Sequence, residues 1–182
     1  MPSTFTKTDL EGPLIVEPRR FKDERGYFAE IYKRSEFIEN GILDTFLQDN
    51  MSMSNKYVLR GLHYQIPPME QGKLVRVMGG KVFDVAVDIR KSSKTLGQWV
   101  GVELSAKNGR MFWIPPGFAH GFISLEDNSI VEYKTTNEYS KDHERSIIWN
   151  DTDIGINWNV DRPIISQKDL EAVSFSNADL FP

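Results

Sequence analysis

Along much of the chain, hydrophobic and polar positions alternate with a period of two. In Val82-Phe83-Asp84-Val85-Ala86-Val87-Asp88-Ile89 one face carries Phe83, Val85, Val87 and Ile89, and the other carries Asp84 and Asp88. Such alternation with β-branched residues predicts a half-buried strand. The two aspartates then read as a solvated or salt-bridged face, with Asp84 the one able to reach into an interior. Leu74–Met78 is strand-like and runs into Gly79-Gly80, whose residues tolerate the positive φ of a tight turn. Gln98–Leu104, Met111–Ile114 and Ser129–Lys134 continue the series, separated by turn-rich Lys107-Asn108-Gly109 and Glu126-Asp127-Asn128. One short helix is expected over Glu36–Asn40, capped by Ser35 and ended by Gly41 in a left-handed conformation. After Trp158 the pattern weakens: Arg162–Ile165 reads as extended, and a helical piece is expected around Asp169 to Val173. Many short strands with almost no helical periodicity predict an all-β sandwich or barrel. No linker divides the chain, so residues 1–182 read as one domain.

Composition narrows the function more than the fold. A net charge of −4 argues against a general nucleic-acid binder, which usually shows a basic face. An anionic ligand then requires arginines and lysines gathered locally. There is no cysteine, which removes disulfides and thiolate metal sites and suits the cytosol. The start, Met-Pro-Ser-Thr-Phe-Thr, lacks the apolar core of a secretory signal, and no apolar run approaches the roughly 20 residues that span a bilayer. Neither a membrane nor a nucleic-acid partner is expected.

Candidate chemistry centres on three histidines, His63, His120 and His143. His143, in Lys141-Asp142-His143-Glu144-Arg145, reads as a solvated loop residue without a role. His120 lies in Gly109-x5-Pro115-x-Gly117-x2-His120, which resembles the second cupin motif: a strand ends in a Pro-Pro-Gly turn that aims the next strand's first side chains into a barrel mouth. Ser124 stands where that motif usually closes with Asn. In a metal-binding cupin the first motif would supply His63, residue 65 and Glu70. Here residue 65 is glutamine, whose neutral amide is a weak ligand, and a nearby Lys73 pointing inward would oppose a divalent cation. The metal site reads as dismantled.

What remains suits proton transfer next to a ketone, which needs a base, an enolate stabiliser and an acid on the opposite face. His63 suits the base, given a carboxylate partner to set its tautomer. Lys73 suits the stabiliser and Tyr133 the acid, with Tyr139 the competing hydroxyl. Without such a site, His63 and His120 read as hydrogen-bonded structural histidines and Tyr133 as an interior strand aromatic. Phe112, Trp113 and Phe118 read as core or mouth packing, and Trp149 and Trp158 as packing anchors.

Seven segments then appear in order: Asp23-Glu24-Arg25-Gly26-Tyr27-Phe28, Gln48-Asp49-Asn50-x-Ser52, Leu59–Gln65, Gln71-Gly72-Lys73-Leu74-Val75-Arg76, Val82–Arg90, Ile114–Phe122 and Trp149-Asn150-Asp151. Together they resemble the dTDP-4-dehydrorhamnose 3,5-epimerase family over nearly the whole chain, from about Leu14 to Asp169. The resemblance implies a cupin-type double-stranded β-helix (jelly-roll) barrel with short peripheral helices, working as a homodimer without metal or organic cofactor. It implies epimerisation at C3 and C5 of dTDP-4-keto-6-deoxy-D-glucose to dTDP-4-keto-L-rhamnose, in dTDP-L-rhamnose biosynthesis. His63 would be the base, oriented by Asp169, with Lys73 at O4 and Tyr133 as acid. His120 would line the sugar pocket and Arg60 would meet the diphosphate. Arg25, Glu30, Gln48 and Asn50 would contact the nucleotide or its phosphates, Arg25 and Glu30 crossing from the partner subunit, and Tyr139 would stack on thymine. Glu144 and Lys168 complete the substrate contacts. The alternatives are a mono-epimerase acting at C3 or C5 only, a non-catalytic nucleotide-sugar-binding cupin, a 3,4-ketoisomerase, and a metal-dependent cupin.

Overall fold

A computed structural model describes residues 2–182. Its strands are β1 (Thr4–Lys7), β2 (Leu14–Glu17), β3 (Arg20–Asp23), β4 (Gly26–Ala29), β5 (Gln48–Ser54), β6 (Val58–Gln65), β7 (Lys73–Gly79), β8 (Lys81–Asp88), β9 (Trp99–Ser105), β10 (Met111–Ile114), β11 (Phe118–Ser124), β12 (Ser129–Thr135), β13 (Glu144–Ser146) and β14 (Ile164–Ile165). Helix α1 (Arg34–Glu39) precedes β5, and α2 (Gln167–Leu170) follows β14. One sheet runs β1-β2-β10-β7-β12-β5; the other runs β13-β6-β11-β8-β9, with β14 added parallel to β6. β3 and β4 form a separate hairpin. The two sheets face each other as the expected all-β, cupin-like jelly roll.

Between the sheets lies a core of Val75, Val77, Val82, Ala86, Val102, Leu104, Phe112, Ile114, Phe118, Phe122 and Val131. The outer face of the β8 sheet is also covered. Val85, Val87 and Ile89 pack there beneath Ile147, Ile154 and Trp158 of the C-terminal third, so the apolar row of β8 faces outward. Asp84 and Asp88 therefore point the other way, and both are fully buried. Neither aspartate is solvated, and Asp84 takes the inward place that the alternation left open to it, paired with His120. Asp88 is salt-bridged, to Arg90, and also accepts from Ser93 and Thr95. A third cluster closes the outer side of the β10 end, where Phe37 of α1 meets Val16, Leu74, Met111 and Trp113.

Helix α1 starts earlier than a Ser35 cap implies. Lys33 is the N-cap residue and makes no side-chain cap bond, while its carbonyl accepts from the Glu36 and Phe37 amides. Burial of Phe37 among Phe5, Tyr32 and the cluster above sets the helix phase instead of Ser35. Gly41 does close the helix at φ +86, and Ile42 N–H reaches the Phe37 carbonyl at 2.9 Å. α2 also lies earlier than expected, because Ser166 Oγ caps it by accepting from Asp169 N–H at 3.2 Å.

A β-bulge in β6 decides which side chains of that strand share a face. Arg60 and His63 are three residues apart, so strict alternation would turn them to opposite faces. Opposite them on β11, Phe122 pairs with Arg60 and His120 with His63, a spacing of two against three. The extra residue is absorbed at Gly61 (φ +134), and Arg60 and His63 share a face. A β-carbon on Gly61 would fall 2.5 Å from Gly121 Cα and 2.9 Å from the His120 carbonyl oxygen. Only glycine fits this crossing.

Candidate active site

An open cleft of about 660 Å³ enters the sandwich between β5, β6, β7 and β12, lined by Gln48, Asn50, His63, Gln65, Gln71, Lys73, Tyr133, Tyr139 and Glu144 among others. His63 sits on its wall through the β6 bulge, half-buried, with Nε2 2.6 Å from Oδ1 of Asp169. Asp169 is 3% exposed. Burial favours its protonated form, but the hydrogen bond and charge of His63, with help from Ser166 and the Gly61 amide, hold it below the usual carboxylate range. An ionised carboxylate only accepts, so Nε2 carries the proton and Nδ1 keeps its lone pair. That is the tautomer a general base requires.

Lys73 begins β7 and is buried, with Nζ donating to the His63 carbonyl at 3.2 Å. Burial draws its ammonium down to about 8, against the opposing charges of Asp84 and Glu144. It remains mostly a cation near pH 7. His120, facing His63 across the β6–β11 pair, points Nε2 at both Asp84 oxygens, at 2.9 and 3.0 Å. Burial lowers its basicity in spite of Asp84, with Lys73 and His63 adding to the effect, so the ring is neutral. Tyr133 projects from β12 with its ring 6.5 Å from that of His120. Burial, and more weakly Glu144, raise its phenol pKa against the pull of Arg60, which keeps the hydroxyl protonated.

The cleft mouth is polar. Gln48 donates to Asn50 Oδ1 at 2.8 Å on the inward row of β5. Glu144 accepts from Tyr139 Oη at 3.0 Å and from Lys168 Nζ at 2.6 Å, which ties α2 to β13. Arg60 donates to Ser54 Oγ at 3.1 Å and to the Met53 carbonyl. With Lys73 and Lys168 it supplies the local positive charge that an anionic ligand needs in an acidic protein. A second cleft, lined by Arg20, Arg76 and Arg110, offers less, because all three are engaged: Arg76 by Glu132, Arg110 by Glu17, and Arg20 by the carbonyls of Ala106 and Lys107.

Eleven of the thirteen expected site residues thus converge, if Asp169, Arg60, His120 and Lys168 are taken with the cleft they adjoin. Arg25 and Glu30 do not line it within one chain; Arg25 lies at the tip of the exposed β3–β4 hairpin, paired with Asp23. Two residues of the site do more than the sequence pattern assigns them. Asp84 takes the interior place that the alternation left open to it, and there it binds His120, a contact the alternation does not reveal. Gln65 is more than a failed metal ligand, since its side chain is committed to backbone groups of two loops. His143 bonds Ser140 Oγ at 2.7 Å and plays no part in the cleft. The residues fit a cupin metal poorly: among the described residues no group of three His, Cys, Asp or Glu side chains gathers to hold an ion. Nor, among them, is any helix long and apolar enough to cross a membrane.

Known proteins share this fold. The family model for dTDP-4-dehydrorhamnose 3,5-epimerase matches residues 7–177. A dTDP-4-dehydrorhamnose 3,5-epimerase of Shigella flexneri is 55% identical over 176 residues, covering 96% of this chain and 97% of that one. The crystal structure of the enzyme of that name from Elizabethkingia anophelis NUHP1 superposes with a TM-score of 0.94 at 44% identity, over 97% of this chain and 98% of the other. A dTDP-6-deoxy-D-glucose-3,5-epimerase from Legionella pneumophila Philadelphia 1, solved in complex with dTDP-4-keto-L-rhamnose, gives a TM-score of 0.92 at 46% identity, over 96% of this chain and 94% of that one.

Proposed function

This chain belongs to the dTDP-4-dehydrorhamnose 3,5-epimerase family, and on that premise we propose how its cleft inverts two carbons of a nucleotide-linked sugar. The protein is an isomerase acting on carbohydrate, converting dTDP-4-keto-6-deoxy-D-glucose to dTDP-4-keto-L-rhamnose by epimerisation at C3 and C5. Nδ1 of His63 removes the proton from a carbon beside the C4 ketone. The electron pair moves to O4 as an enolate, and the Lys73 ammonium stabilises that charge. Tyr133 delivers a proton to the opposite face of the same carbon. His63 is left as imidazolium against Asp169 and Tyr133 as phenolate; exchange with solvent resets both before the second carbon reacts. His120, held by Asp84, lines the sugar pocket.

The observation that carries this assignment is the 2.6 Å contact of His63 Nε2 with the buried Asp169 carboxylate, which leaves one basic nitrogen beside a buried lysine. At the mouth, Arg60, Gln48 and Asn50 meet the diphosphate and nucleoside, Tyr139 stacks on thymine, and Glu144 and Lys168 hold the substrate's rim. The test is incubation with the substrate in heavy water, with NMR at each carbon. Deuterium at both C3 and C5 with inversion is expected; label at C3 alone would make the protein a mono-epimerase. Binding without any label would make it a sugar-binding cupin.

The working unit in this proposal is a homodimer. Tyr27 and Phe28 of the β3–β4 hairpin and Met51 and Met53 of β5 are all more than half exposed, apolar side chains that suit contact with a second copy. In that contact the β3–β4 hairpin would carry Arg25 and Glu30 into the partner's cleft. Mixed dimers of Arg25→Ala and His63→Ala chains would then regain activity, since one of their two sites has both residues intact; sedimentation would report a dimer. No regain in mixed dimers would confine Arg25 to its own subunit.

A further inference from the structure

The loop that follows β12, residues 136–143, has no regular structure, so several of its backbone groups take side chains as partners. Its first residues are sewn to the segment before Lys73. Thr136 N–H donates to the Gly72 carbonyl and Gly72 N–H to Thr136 Oγ1, at 3.0 and 2.8 Å. Asn137 Nδ2 reaches the Glu70 carbonyl and Gln71 Nε2 the Asn137 carbonyl, both at 2.8 Å. Beyond Asn137 two glutamines take over. Gln65 Nε2 donates to the Glu138 carbonyl at 3.2 Å and also to that of Met69, while its Oε1 accepts from Ser140 N–H at 2.7 Å. Gln48 Oε1 accepts from Tyr139 N–H at 2.9 Å. The backbone groups flanking Tyr139 are therefore held by side-chain amides, and Gln65 grips both sides of that residue. Tyr139 is 54% exposed, and its hydroxyl donates to Glu144. The direction of the ring is set by its backbone together with that bond.

We propose that Gln65, a residue only 4% exposed, is a positioning residue for nucleotide binding: its amide fixes the backbone on either side of Tyr139 so that the ring stands over the cleft mouth. The position that carries a metal-binding imidazole in other cupins is used here to shape a loop. This rests on the proposed role of Tyr139 toward the nucleoside. Gln65 touches neither His63 nor Tyr133 through its amide, so its loss acts on binding and leaves proton transfer in place.

The test uses Gln65→Leu and Gln65→Glu, with dTDP as the calorimetric probe and the 4-keto sugar for kinetics; far-UV circular dichroism and melting curves establish that each variant folds. Loss of these bonds weakens dTDP binding about tenfold and raises KM to a similar extent, while kcat stays within about twofold. In a Tyr139→Ala background, Gln65→Leu adds nothing further to the loss of dTDP affinity. Gln65→Glu also carries a signature that general loosening would not produce. Its carboxylate can only accept, but once protonated it regains one donor, so its affinity relative to the native protein recovers as pH falls. A fall in kcat at unchanged KM, or additive losses with Tyr139→Ala, would overturn the proposal while leaving the epimerase assignment intact. If the native protein itself bound no dTDP, the assignment of the cleft would fail as well.

Discussion

Gly61 joins the fold to the chemistry, and replacing it with alanine perturbs both at once. Its φ of +134 lies where a β-carbon is strained, at a cost of order 1–3 kcal/mol. The added methyl would meet backbone at 2.5 and 2.9 Å, with no flexible side chain to yield, and overpacking of this kind costs typically about 1–3 kcal/mol. Together these give a destabilisation of roughly 2–6 kcal/mol, against a total of about 5–15 kcal/mol for a domain. In a chain of this size the melting temperature should fall by on the order of 10 °C. Gly26 provides the control: its φ is +127, but nothing lies within 4 Å of the position a methyl group would take there. Gly26→Ala therefore reports strain without the clash, and the difference between the two melting temperatures, read by circular dichroism, measures the close approach of β6 and β11. Because the bulge turns Arg60 and His63 to one face, Gly61→Ala should also lose most turnover at temperatures where it remains folded. If it melted within about 2 °C of the native protein, or no lower than Gly26→Ala, the account of the bulge would be wrong.

Four further outcomes are expected. Turnover should decline as pH rises through about 8, where Lys73 loses its proton, and Lys73→Arg, which stays charged, should move that decline to higher pH in a kcat profile. Asp169→Asn should fold normally but lose about 10²–10⁴-fold in turnover, since the amide no longer selects the Nδ1 base tautomer of His63; deuterium exchange at C3 and C5 should slow with it. Tyr133→Phe should still exchange solvent deuterium on the His63 face but without inversion, which NMR of the recovered sugar distinguishes. Ser166→Ala removes the α2 cap and should cost about 1 kcal/mol in chemical denaturation, together with a smaller loss of turnover through Asp169.

Much of the local structure is legible without coordinates. β10 (Met111–Ile114) coincides with its predicted span, Phe112, Trp113 and Phe118 are buried as expected, and Gly80 and Asn128 take positive φ in the turns where the sequence places them. The ordered motifs identify the family. The departures have a common origin. Ser35 is a competent cap, but burial of Phe37 chooses a different helix phase, and at α2 the cap is Ser166, ahead of the less patterned residues where the helix is expected. Gln65 invites comparison with metal ligands because only its neighbours in sequence are visible, whereas two of the three backbone groups it binds, on Glu138 and Ser140, lie more than 70 positions away.

Taken alone, the order of residues determined where strands run, where they turn and which histidines and tyrosines are available for chemistry, because steric and alternation rules act over a few neighbouring positions. It did not determine which face of β8 is the interior: alternation distinguishes two faces, but the C-terminal third covers the apolar one and turns Asp84 inward toward His120. Nor did it bring His63, Lys73, Tyr133 and Asp169 together from β6, β7, β12 and α2. That depended on sheet pairing and on one bulge, whose energies come from contacts between segments distant in the chain.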